Sequence, residues 1–187
     1  MSQKSLASIR CFLLDMDGTF YLGNRLLDGA LHFMEVIRRQ GRDFVFLTNN
    51  SSNRGSAYAQ KISAMGFPIS PEKVFTSGEA TARFLLREYP NQRIYLVGTP
   101  ALEEEFREFG LTLVEDKADL VVVGFDTTLT YQKLHRLCDY VRAGLPYIAT
   151  HPDYNCPTEN GYLPDIGAII AFVKASTGRE PDRIIGK

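Results

Sequence analysis

Asp15 and Asp17, two residues apart and followed by Gly18 and Thr19, are residue types suited to passing a phosphoryl group between oxygens. They close an apolar run, Ile9-Arg10-Cys11-Phe12-Leu13-Leu14, that reads as a short buried strand. Side chains at i and i+2 of a strand share a face, so both carboxylates can converge at its carboxyl end, where ligands bind in open α/β sheets. Gly18 permits the sharp turn that brings backbone N–H groups toward an anion. The chemistry is that of a nucleophile, an acid/base and a divalent cation acting on a phosphate. Asp-Gly is also a common turn signal, and the short string by itself is equally compatible with a plain turn.

A second group stands at the end of the next apolar strand, Phe44-Val45-Phe46-Leu47, in the run Thr48-Asn49-Asn50-Ser51-Ser52. A strand–helix–strand unit takes about 30 residues, a spacing that sets Thr48 beside Asp15 at the tips of neighbouring parallel strands. There the Thr48 hydroxyl and adjacent backbone N–H groups can bind phosphate oxygens. Asn50, Ser51 or Ser52 can also cap a helix starting near Arg54, and the two roles are compatible because helix N-termini bind anions. At the far end, Ile184-Ile185-Gly186-Lys187 reads as a short strand leading to a lysine, a mobile charge suited to a phosphate.

Strand and helix patterns alternate to position these groups, the mark of a parallel α/β protein. Asp28-Gly29 opens a helix with the stripe Ala30, Phe33, Met34 and Ile37, ended by Gly41. A helix near 54–65 ends at Gly66, and Val74-Phe75 is a further strand. A second α/β stretch begins near Ser77, with strands at 94–97, 120–123 and 147–149 and helices near 79–88, 100–109, 130–143 and 165–177. Short joints are expected around Thr76–Glu79 and Arg179–Asp182. Glu103-Glu104-Glu105 reads as a solvated helix face. Residues 151–164 read as a long loop, and loops of that length are usually functional. His151 reads as a structural or solvent-facing residue rather than a ligand.

The 187 residues carry a net charge of -1, which provides no field for a polyanion and disfavours nucleic acid as a partner. No apolar run reaches the roughly 18 residues of a membrane span, and residues 1–5 lack the apolar core of a secretion signal. Three cysteines, an odd number without a C-x-x-C pair, disfavour a disulfide framework or a zinc site and fit a reducing cytoplasm. Cys11 and Cys138 read as core residues; Cys156 lies in a polar loop.

Asp15-Met16-Asp17-Gly18-Thr19, Thr48-Asn49-Asn50 and Gly186-Lys187 resemble the first three motifs of the haloacid dehalogenase superfamily. Gly124-Phe125-Asp126, Ala149-Thr150-His151-Pro152-Asp153 and Gly167-Ala168-Ile169-Ile170 resemble its NagD-like, 4-nitrophenylphosphatase-like branch, and the similarity runs from about Ile9 to Lys187. The resemblance implies a Rossmannoid parallel-sheet core, residues 1–78 and 182–187, with an inserted α/β cap of the second class at 79–181. It implies a magnesium-dependent phosphomonoesterase acting on a small phosphorylated metabolite. Asp15 would become the aspartyl-phosphate, and Asp17 would protonate the leaving alcohol and then activate water. Thr48 and the backbone at Asn49 and Asn50 would hold the phosphoryl group beside the Gly18 turn, and Lys187 would offset charge. Magnesium would lie on the Asp15 carboxylate and the Asp17 carbonyl. Asp153, Asn155, Cys156 and Pro157 would read the leaving group from the cap.

The superfamily's fourth motif, which supplies further magnesium carboxylates, would follow Lys187. The expectation is therefore a truncated core with one buried-type sheet edge uncovered, and the activity of this chain by itself is left open. A phosphotransferase or phosphomutase would use the same Asp15, whereas a non-catalytic phospho-ligand binder would show saturable binding without turnover. A homodimer is compatible with either.

Overall fold

The computed structural model describes residues 8–187. The chain forms two compact units: one holds the residues up to Thr48 together with Gly55–Phe75 and Pro157–Glu159, the other Asn49–Arg54, Thr76–Cys156 and Asn160–Lys187. The boundary thus falls between chain neighbours Thr48 and Asn49, which a simple division at residue 78 does not express.

In the first unit, the chain runs β1 (Cys11–Leu14), β2 (Tyr21–Leu22), β3 (Arg25–Leu26), α1 (Ala30–Arg39), β4 (Asp43–Thr48), α2 (Gly55–Ala64) and β5 (Val74–Thr76). The sheet order is β1-β4-β5, and β1 pairs with β4 in parallel from Cys11↔Asp43 to Leu14↔Phe46. Phe44, Phe46 and Thr48 are buried at alternate positions of β4, as a half-covered strand requires. Met34 and Ile37 of α1, Tyr58, Ala59 and Ile62 of α2, and Met16, Phe20 and Phe67 complete this core. The Phe20 and Phe46 rings pack with centroids 4.7 Å apart. Two details depart from expectation. Cys11, read as a core residue, is exposed, since β1 is the uncovered, buried-type sheet edge that the sequence predicts, with Leu13 66% exposed. Phe33 of the α1 stripe is 42% exposed and packs edge-on against Phe12.

The second unit contains α3 (Ser77–Glu88), β6 (Arg93–Val97), α4 (Pro100–Glu108), β7 (Thr112–Leu113), β8 (Leu120–Val123), α5 (Tyr131–Arg142), β9 (Tyr147–Ala149), the start of β10 (Asn155–Thr158, of which Pro157 and Thr158 sort with the first unit), β11 (Gly161–Pro164), α6 (Ile166–Thr177) and β12 (Arg183–Ile184). Its five-stranded sheet has the order β12-β9-β8-β6-β7, with parallel pairing throughout. Alternation along the strands separates two cores. Tyr95, Val97, Val121, Val123, Tyr147 and Ala149 meet α5 and α6. Ile94, Leu96, Leu120, Val122 and Ile148 meet α3 and α4. The three layers explain why these strands are continuously apolar.

Helix starts follow capping chemistry. The hydroxyls of Thr76, Thr99 and Thr130 accept from Glu79, Leu102 and Lys133 N–H groups at the heads of α3, α4 and α5. Glu105 is not part of a solvated face: it is buried, and Gly78 provides its space, because a Cβ there would lie 2.7 Å from Glu105 Oε2. The expected joint at 179–182 is tied down. Arg179 donates to the carbonyls of Val141 and Leu145, at 2.8 and 3.1 Å, and Asp182 N–H donates to Tyr147 O at 2.7 Å. Residues 183–184 add β12 to the second unit's own sheet instead of rejoining the first. Residues 151–164, read as a loop, contain the β10–β11 hairpin.

Candidate functional site

β1 ends at Leu14, so Asp15 is the first residue past the strand. The chain then turns tightly: the Met16 carbonyl accepts N–H groups from Thr19, Phe20 and Tyr21 at 3.2, 2.9 and 3.2 Å. Met16 itself is fully buried and anchors the turn. Gly18 has φ 76°, the left-handed region where a side chain is strained, and its N–H donates to Tyr21 O at 2.8 Å. Asp15 is exposed, and its Oδ1 accepts from Met16 N–H at 2.9 Å; Asp17 is half-buried. A cavity of about 270 Å³ lined by Leu14, Asp15, Thr19, Phe20, Asp28 and Phe33 opens beside Asp15. Thr48 is buried at the end of β4. Pro157–Glu159 belong to this unit. Glu159 Oε1 accepts from Asn24 N–H at 3.0 Å, and a Cβ on Gly18 would stand 3.8 Å from Pro157 Cγ.

The amide and lysine group is assembled in the second unit. Asn49 pairs with the backbone of Lys187 in both directions: Oδ1 accepts Lys187 N–H at 3.0 Å and Nδ2 donates to Lys187 O at 2.6 Å. The same Nδ2 donates to Asp153 Oδ2 at 2.8 Å. Gly186 makes this approach feasible, since a Cβ there would lie 2.7 Å from both Asn49 Oδ1 and Thr150 O. Asn50 Oδ1 accepts from Ser52 N–H at 3.0 Å, closing an Asx turn, and its Nδ2 lies 3.8 Å from Cys156 Sγ. Sequence reading gave the Asn49 backbone and Asp153 as ligand contacts; here the Asn49 side chain binds the Lys187 backbone and the Asp153 carboxylate. Asn155 is exposed at the start of β10.

Segment 49–54 runs across the carboxyl ends of β6 and β8. The order of strands reverses there, which is where open α/β sheets form a crevice. Ser51 Oγ accepts Phe125 N–H at 2.9 Å, Thr99 Oγ1 donates to Ser52 O at 2.8 Å, and Arg54 pairs with Glu104 and, at 2.6 Å, with Glu108. The chain therefore fills its own crevice. Sequence reading missed Ser51, Ser77, Thr150, His151 and Asp165 as a connected group. The one available signal was Asp165 directly before the apolar run Ile166-Gly167-Ala168-Ile169-Ile170, a helix-capping position. The His151 reading holds in its structural alternative, as the residue is fully buried.

No cluster of three or more His, Cys, Asp or Glu is arranged for a metal among the described residues. No helix among them is long and apolar enough to cross a membrane.

The family model for haloacid dehalogenase-like hydrolases matches residues 12–112. An acid sugar phosphatase of Staphylococcus saprophyticus is 37% identical over 177 residues, covering 94% of this chain and 68% of that protein. Among solved structures, a 4-nitrophenylphosphatase from Thermotoga maritima matches with a TM-score of 0.93 at 48% identity, over 97% of this chain and 69% of its own. A glycerol phosphate phosphatase of Mycobacterium tuberculosis, in complex with magnesium, matches with a TM-score of 0.87 at 34% identity, over 96% of this chain and 55% of its own.

Proposed function

Because the chain belongs to the haloacid dehalogenase-like hydrolases, and similarity to their phosphatases extends over nearly all of it, we propose that it hydrolyses phosphate monoesters through an aspartyl-phosphate on Asp15. The observation that carries this reading is the Met16-centred turn, which fixes two carboxylates at the end of a parallel strand with Asp15 accessible beside a cavity. An Asp15 oxygen attacks phosphorus as the ester oxygen leaves, and Asp17 gives that oxygen its proton. Asp17 then takes a proton from the water that attacks the phosphorus of the acyl phosphate, releasing orthophosphate and restoring the Asp15 carboxylate. Splitting one displacement into two lowers each barrier.

Thr48 and the backbone at Asn49 and Asn50 hold the phosphoryl oxygens, and the backbone of the Gly18 turn is a further contributor. Lys187 offsets the like charge of phosphate and Asp15, which otherwise resists their approach. Asp15 and Asp17 offer the all-oxygen donors that suit magnesium, a cation that keeps several of its waters. The Asp15 carboxylate and the Asp17 carbonyl would hold it, and it would supply charge neutralisation at the transferring phosphoryl group. Sugar or polyol phosphates are the favoured substrates, on the strength of the acid sugar and glycerol phosphate phosphatases among the relatives. Asp153, Asn155, Cys156 and Pro157 are the proposed cap-side contributors to that choice.

The deciding experiment is hydrolysis of 4-nitrophenyl phosphate with and without magnesium, beside Asp15→Asn. Turnover should require the cation and disappear in the variant. Turnover that persists in pure Asp15→Asn disproves the nucleophile assignment.

A further inference from the structure

We infer that His151 and Asp165 are positioning residues that hold Asn49, and through it Gly186 and Lys187, in place for the reaction; the catalytic part of this inference rests on the function proposed above. Ser51, Ser77, Thr150, His151 and Asp165 form one polar group in the second unit, and each is at most 4% exposed. His151 Nε2 lies 3.0 Å from Asp165 Oδ1, and that same oxygen accepts Ile166 N–H at 2.6 Å at the head of α6. A carboxylate has no proton to give, so Nε2 bears the hydrogen. On the other side of the ring, Nδ1 lies 3.0 Å from Thr150 Oγ1, which lies 2.9 Å from Ser51 Oγ. Ser51 Oγ already accepts Phe125 N–H at 2.9 Å. In the neutral ring Nδ1 is then the acceptor, so the Thr150 proton goes to Nδ1 and the Ser51 proton goes to Thr150. The Ser51 and Thr150 hydroxyls thus both point toward the histidine, while the Ser77 hydroxyl points to the Asn49 carbonyl.

This chain ends at the Asn49 cluster from two directions. Ser77 Oγ donates to the Asn49 carbonyl, and its oxygen lies 3.4 Å from His151 Nδ1. The Thr150 carbonyl accepts Gly186 N–H at 2.8 Å, and a Cβ on Gly186 would lie 2.8 Å from His151 Cβ. A shift of the imidazole thus moves the wall against which Gly186 rests and the backbone that sets the Asn49 amide. A wholly buried polar chain is costly unless each member is satisfied, and an apolar set of the same shape would stabilise the unit as well. Here each member is satisfied in a single proton arrangement, which fixes one geometry instead of several. Asp165 orients the ring, and the ring orients the cluster.

The test compares wild type with His151→Leu, which keeps bulk and removes both ring hydrogen bonds. It uses magnesium-supported turnover of 4-nitrophenyl phosphate and the ¹H–¹⁵N signal of the Asn49 side-chain amide, identified by its loss in Asn49→Ser. The expected result is a shifted Asn49 amide signal and kcat reduced by about 100-fold, the scale of an ångström-level misplacement, with KM changed by less than about three-fold. A folded His151→Leu protein with an unmoved Asn49 signal overturns the inference, and so does a moved signal with unchanged kcat. If His151→Leu does not fold, Thr150→Val is judged by the same criteria, since it removes the hydroxyl between Ser51 and His151. If the wild-type chain shows no turnover, the proposed function fails, whereas the Asn49 signal still decides whether His151 sets this geometry.

Discussion

β1 and β8 are both four-residue apolar strands, Cys11–Leu14 and Leu120–Val123, yet they meet different surroundings. All four residues of β8 are fully buried, while Leu13 of β1 is 66% exposed. β8 has a strand on each side and helices on both faces of its sheet; among the described residues β1 has one neighbour, β4. Composition states what a strand requires, and sheet position decides what it receives. The same contrast separates the candidate groups. Asp15 leaves an edge strand and is exposed, whereas the Asn49–Lys187 cluster is joined to a network within a fully layered sheet.

The largest test of this contrast is a pair of truncations. Leu120→Ala should cost about 2–5 kcal/mol, as for other large-to-small core changes, while Leu13→Ala should fall within about 0.5 kcal/mol of wild type. Urea unfolding reads both, and equal losses would erase the distinction between the strands. A smaller effect of opposite sign sharpens it. Tyr147 is fully buried in β9, its hydroxyl has no hydrogen-bond partner among the described residues, and burial pushes the phenol's pKa well up. Tyr147→Phe should therefore gain about 1 kcal/mol. A loss of stability would mean that the hydroxyl is satisfied and the layer is wetter than its packing implies.

The smallest effect belongs to the amino-terminal ends of β6 and β8, where Arg93 and Asp119 pair at 2.8 Å in a partly exposed position. The hydrogen bonds from Arg93 lower the Asp119 pKa from 3.8 to about 2. A carboxyl that titrates lower when folded stabilises fully above its unfolded value, and that contribution is lost as pH falls through about 2. Asp119→Asn should thus lower Tm slightly near neutrality, less so at high salt. The gap should close between about pH 4 and pH 2. A gap of the same size at both ends of that range would show that the pair contributes packing rather than charge.

Much of the layered unit was legible because strong periodicity marked it. The strands at 120–123 and 147–149 match their sequence reading residue for residue, and the helices differ at their ends by one or two residues. Short elements escaped. Two-residue strands such as β2 and β3 carry no period to detect, although Gly23-Asn24 between them is a hairpin signal. The β10–β11 hairpin was marked by Asn160-Gly161, which was passed over in favour of loop length. The candidate site was legible where chemistry is local, as at Asp15, Asp17 and Gly18. It was not legible where chemistry depends on contacts across the fold. Nothing in the strings containing Ser51, Thr150 and Asp165 states that one histidine joins them. Glu105 was misread for a related reason, since its burial depends on the glycine at position 78 of another helix.

The peptide bond between Thr48 and Asn49 joins residues that sort into different units, and each of the residues past it through Ser52, together with Arg54, is bound by the second one. Native proteins open in cooperative blocks, and a segment exchanges its amide hydrogens with the block that binds it rather than with its chain neighbours. In a deuterium-uptake experiment segment 49–54 is therefore expected to follow β8 and β9, while Phe46 and Leu47, only a few residues earlier, are expected to follow β4. One covalently continuous stretch of motif would then be read out at two rates, one for each unit.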